Sequence, residues 1–74
     1  MITDSQIRAA RGFLGWSQDV LAEESGVSLP TIKRMETKGT ETSSYGNVQK
    51  VKEALEKGGI RFSEDGCICP VKKK

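Results

Sequence analysis

The chain has no histidine and only two cysteines, Cys67 and Cys69, in 74 residues. A four-ligand zinc site cannot be built from that supply of the residues zinc favours. Without an imidazole, and with no Ser/Lys or paired-carboxylate arrangement in a supporting motif, the sequence reads as a binding protein and not as an enzyme. The Cys-x-Cys pair does not rescue a redox reading. A bridge between such close neighbours would close a tiny strained loop, and no thioredoxin-like βαβ pattern surrounds it, so free thiols in a reducing compartment are expected. No apolar run is long enough for a membrane span or a signal-peptide core, which points to a cytoplasmic, nucleoid-associated protein with no membrane partner. No cofactor is expected.

Net charge is also scarce, at +2. Its distribution says more than its size, because Lys33, Arg34 and Lys38 cluster together while Lys72 to Lys74 form a tail. Charge of this kind permits a nucleic-acid partner without requiring one. The length allows one domain, and a domain this small buries only about 60% of its unfolded surface.

Four helices are legible. Thr3 with Gln6 forms a capping box ahead of Ile7, Ala10 and Leu14, which recur at helical spacing until Gly15. Ser17 caps a second, short helix with Asp19 in its first turn and Leu21 and Ala22 as its apolar stripe; Gly26 ends it. Ser28 is the cap expected for a third helix, and Pro30 suits a first turn that has no internal acceptor for an N–H. On that helix Ile32, Met35 and Glu36 share one face, and Pro30, Lys33, Arg34 and Thr37 share the other. A polar loop from Lys38 to Ser44 leads to a fourth helix over Tyr45–Lys57, with Val48, Val51, Ala54 and Leu55 inward. After Gly58 and Gly59 the period turns to alternation. Ile60 and Phe62 bracket Arg61, "SEDG" reads as a turn, and "CICPV" as a second strand. Phe13, Trp16 and Tyr45 are expected in or around the core.

The second and third helices are joined by the tight "SGVS" connection, the makings of a helix-turn-helix whose second helix enters the DNA major groove. From periodicity alone, a helical hairpin inside a small core reads equally well. The stretch "WSQDVLAEESGVSLPTIKRMETKG" resembles the helix-turn-helix of the Xre/Cro-type regulators, through Ser17, Gln18, Leu21, Ala22, Gly26, Val27, Ser28, Ile32 and Glu36. "IRAARGFLGWSQ" is similar to the family's first helix and "VKEALEKGGIRF" to the end of its short bacterial members. Val20, Ser25 and Pro30 depart from the family's usual residue types.

The resemblance implies a mainly α, compact four-helix lambda-repressor-like DNA-binding domain over residues 1–58. Residues 59–74 would add a short C-terminal β-hairpin and basic tail as a dimerisation element. Double-stranded DNA is the implied partner, bound by a homodimer that acts by occupancy because no effector domain fits in the remaining residues. The other reading is an interaction adaptor, such as an antitoxin or phage-type switch protein, holding a cognate protein.

The residues expected at DNA are Ser17, Gln18, Ser28, Leu29, Pro30, Thr31, Lys33, Arg34, Lys38, Thr40 and Ser43. Gln18 and Ser28 would reach phosphates, helped by the positive helix N-termini, although Ser28 serves equally as a plain cap. Leu29 and Pro30 would pack on a thymine methyl, or Leu29 would fold onto the core, and Arg34 would fork onto a guanine. Lys33 and Thr31 would reach backbone. Lys38, Thr40 and Ser43 would touch neighbouring phosphates or form a simple linker. By the same resemblance Arg11 pairs with Glu36, partly buried, and ties the third helix to the scaffold. Ile60, Phe62 and Ile68 are expected under a sheet shared by two chains, the alternative being a hairpin that packs only on its own fourth helix, which would place the dimer interface on that helix.

Overall fold

A computed structural model describes residues 2–62 and 68–70. Its helices start and stop where local chemistry allows. Helix α1 (Asp4–Leu14) follows the Thr3 capping box: Thr3 Oγ1 accepts the Gln6 N–H at 3.3 Å, and Gln6 Oε1 accepts the Thr3 N–H at 2.8 Å. Helix α2 (Gln18–Ser25) begins with Ser17 Oγ accepting the Val20 N–H at 3.2 Å. Helix α3 (Leu29–Lys38) starts differently. Ser28 holds the extended cap conformation, but its hydroxyl makes no bond to the helix backbone and pairs instead with Thr31 Oγ1 at 2.8 Å. The expected cap is therefore a cap in backbone shape only.

The chain leaves α3 through Gly39 at φ +102° and ψ 154°, a conformation open to glycine and strained for other residues. The expected loop contains one 3₁₀ turn, Thr40–Thr42. Helix α4 (Tyr45–Gly58) follows, capped by Ser44 Oγ on the Asn47 N–H, and runs one residue past the expected Lys57. Strands β1 (Ile60–Phe62) and β2 (Ile68–Pro70) pair antiparallel, with Ile60 opposite Pro70, Arg61 opposite Cys69 and Phe62 opposite Ile68. The "SEDG" turn, Cys67 and the Lys72–Lys74 tail lie outside the described residues.

The four helices share one core. Ile7 and Ala10 enter it from α1, Leu21 from α2, Ile32 and Met35 from α3, and Val48, Val51, Ala54 and Leu55 from α4. Val27, in the connection between α2 and α3, is buried among them and fixes how those two short helices cross. Full burial of each large aliphatic side chain contributes about 1.5–3 kcal/mol, the main force holding so small a fold.

Two aromatic expectations are corrected. Phe13 is 61% exposed and Tyr45 67% exposed. Phe13 falls beside the Ile7–Ala10–Leu14 stripe instead of on it, and Tyr45 opens α4 one turn before the first buried residue, Val48. Trp16 does pack against the core, close on Gly58.

Strand β1 packs on the chain's own α4. Ile60 is 1% exposed within the single chain, so its burial needs no second copy, and Phe62 packs partly buried against the same core. Strand alternation says that Ile60 is covered but not by what. The covering elements are the chain's own helices.

Candidate nucleic-acid interface

The two faces of α3 differ in every property that matters for binding. Inward, Ile32, Met35 and Glu36 are buried; outward, Pro30, Lys33, Arg34, Thr37 and Lys38 are exposed. Leu29 and Thr31 are half-buried at the helix start, and Ser28 beside them is exposed. Ser17 is exposed and Gln18 half-buried at the start of α2, where free N–H groups and the helix dipole favour an anion. The Thr37 hydroxyl is spent on its own helix, donating to the Lys33 carbonyl at 2.7 Å. The outward surface of α3 thus offers two cations, a proline ring and a third cation one turn on. The Ser28–Thr31 hydroxyl pair stands at its N-terminal end.

Two of the expected contacts are not on this surface. Thr40 is 4% exposed, and its hydroxyl donates to the Ile2 carbonyl at 2.8 Å, tying the start of the chain to the turn after α3. A buried hydroxyl already donating cannot also hold a phosphate. Ser43 is half-buried and its Oγ lies inside, without a hydrogen-bond partner, so its side chain does not face outward. Of the three residues expected after α3, only Lys38 is exposed.

What holds α3 in place is an arginine. Arg11 Nε donates to Glu36 Oε2 at 2.8 Å and Nη2 to Oε1 at 2.7 Å, a two-pronged pair, while Nη1 donates to the Trp16 carbonyl at 3.0 Å. Glu36 is 6% exposed. A carboxylate so far from water is tolerable only because both oxygens are met by a charged donor. The planar guanidinium suits this in a way a lysine would not.

A further residue, Arg8, carries no sequence expectation. Its Nη1 donates to Asp4 Oδ2 at 3.0 Å and also to the main-chain carbonyl of Glu36. The Arg8 hydrogen bond and charge hold the Asp4 carboxyl below the usual carboxylate range. The i, i+4 spacing of Asp4 and Arg8 reveals the local pair. Nothing in a sequence reveals the bond to a distant carbonyl.

Among the described residues no group of His, Cys, Asp or Glu side chains could hold a metal ion, and no helix is long and apolar enough to cross a membrane. No curated protein and no solved structure matches the chain. A family model described as helix-turn-helix matches residues 7–59, a span that runs from within α1 to the residue after α4 and includes both members of the Arg11–Glu36 pair. With an outward basic helix seated by that pair and more than half its length matched, the chain belongs to the Xre/Cro-like helix-turn-helix family of DNA-binding regulators.

Proposed function

We propose that the protein is a sequence-specific transcriptional repressor that lays α3 in the major groove and binds its operator as a homodimer in the cytoplasm. The supporting observation is the division of α3 into a buried face of Ile32, Met35 and Glu36 and an exposed face of Pro30, Lys33 and Arg34. Arg34 donates to guanine O6 and N7 together, a pairing worth about 1–3 kcal/mol of discrimination. Leu29 and Pro30 meet a thymine methyl. Lys33, Lys38, Gln18, Ser17, Ser28 and Thr31 meet phosphate and sugar, which set position but carry no sequence information.

Repression here needs no chemistry and no cofactor, only occupancy of a site that polymerase requires. One such module covers roughly 600–1,000 Å² of surface, so useful affinity calls for two copies on a two-fold operator. With Ile60 committed to its own core, the dimer reading rests on the sheet, which has two strands among the described residues and whose outer edges would pair with those of a second copy.

The test is selection from a random DNA pool with wild type, Arg34→Ala and Lys33→Ala. Wild type should return a two-fold motif, Arg34→Ala should lose base preference at one position in each half-site, and Lys33→Ala should weaken all sequences alike. Wild type and Arg34→Ala returning the same motif at similar affinity would remove Arg34 from base reading.

A further inference from the structure

The two ends of α3 are held very differently. At its start the Ser28 hydroxyl makes no cap bond to the helix backbone. At its end three residues from the first part of the chain converge. Arg11 takes the Glu36 carboxylate, Arg8 takes the Glu36 carbonyl, and the Ile2 carbonyl takes the Thr40 hydroxyl. The last four carbonyls of a helix have no donor within it. The Gly39 N–H serves the Met35 carbonyl, and Arg8 serves the next one, that of Glu36. Arg8 is itself held on both sides, by Asp4 at 3.0 Å and by Ser5 Oγ at 3.3 Å.

We infer that Arg8 is a positioning residue for DNA binding: from α1 it caps the C-terminal turn of α3, with Asp4 holding it there. The inference rests on α3 being the DNA-reading helix. A guanidinium at this end opposes the negative pole of the helix and satisfies a carbonyl left open by it. The turn it fixes carries Lys38 and lies one turn from Arg34, so its angle sets where both side chains meet the duplex. Arg8 and Arg11 stand three apart on α1 and grip the same residue of α3, one by its backbone and one by its side chain.

A rival role for an exposed arginine is direct contact with phosphate, and Asp4 separates the two by sign. Replacing Asp4 with Asn adds one unit of positive charge and removes the ion pair that holds Arg8. A phosphate-seeking Arg8 would then bind DNA more tightly; a positioning Arg8 would lose its hold on α3 and bind more weakly. We expect Asp4→Asn and Arg8→Gln each to weaken binding to the wild-type selected sequence by about three- to tenfold, the scale of one ordinary net hydrogen bond. Helical circular dichroism should be unchanged at the assay temperature. In the free Arg8→Gln protein the Glu36 carbonyl carbon resonance should shift as its donor is lost. Equal or tighter binding by Asp4→Asn, or an unmoved Glu36 resonance, overturns the inference. A wild type that selects no DNA overturns the proposed function instead, and the Glu36 resonance still decides whether Arg8 holds α3.

Discussion

Removing Arg11 should unfold this protein more readily than any surface substitution. In Arg11→Ala the Glu36 carboxylate, buried in the wild type, loses its donors on both oxygens, and the Trp16 carbonyl loses a donor as well. Breaking a buried pair from one side costs about 3–5 kcal/mol. A domain of this length has a total stability of roughly 4–11 kcal/mol, so much of the margin would go. Glu36→Ala is the milder change, because the Arg11 side chain is 20% exposed and keeps its bond to the Trp16 carbonyl; about 1–3 kcal/mol is expected.

The double mutant leaves no unpaired carboxylate. It should therefore lose less than the two single losses added together, with a coupling of about 1.5–3 kcal/mol. Urea denaturation followed by circular dichroism measures all four corners of the cycle. For a domain this small each kcal/mol also moves the melting temperature by about 4–8 °C, which gives an independent reading. Losses that add to within about 0.5 kcal/mol would mean that the two side chains do not meet, and the account of how α3 is seated would fail.

Two glycines should respond in opposite directions to alanine. A methyl at Gly58 would stand 2.8 Å from the Trp16 ring and 2.9 Å from Leu14 Cδ1, so Gly58→Ala should cost about 1–3 kcal/mol in denaturation despite alanine's better helix propensity. Gly12, inside α1 with open space around it, should gain about 0.5–1 kcal/mol from the same change, and a loss there would refute the packing described. Thr40→Val should cost about 1–3 kcal/mol by stranding the Ile2 carbonyl, yet leave the salt dependence of DNA binding unchanged. A shallower salt slope would return Thr40 to the phosphate contacts.

Most of the helical framework was legible because it depends on chemistry within a few residues. The Thr3–Gln6 box, the Ser17 cap and the glycine stops each act over one turn. The two faces of α3 follow from a period of 3.6 residues, and that same period placed Lys33 and Arg34 outside. What escaped depends on partners far along the chain. A threonine in a polar loop reads as solvated, and nothing local says that Thr40 meets Ile2, 38 residues away. The Arg8 bond is harder still, since a backbone carbonyl is common to every residue type and leaves no mark in a sequence. Phe13 shows a different limit: apolar character does not say whether a residue sits within the buried stripe or just beside it.

The seating of Ile60 changes what kind of object the C-terminal hairpin is. A strand anchored by a fully buried side chain cannot fray by itself, because releasing it opens a cavity whose cost is comparable to Leu/Ile→Ala losses of about 2–5 kcal/mol. The β1 amides should then exchange with solvent in step with the helices, as one cooperative unit, instead of opening locally as chain ends usually do. The family match stops at Gly59, one residue short of that anchor, so a fragment cut at the match would lose part of its own core. Any molecule that binds only the formed hairpin would, by mass action, also stabilise the helices that face DNA.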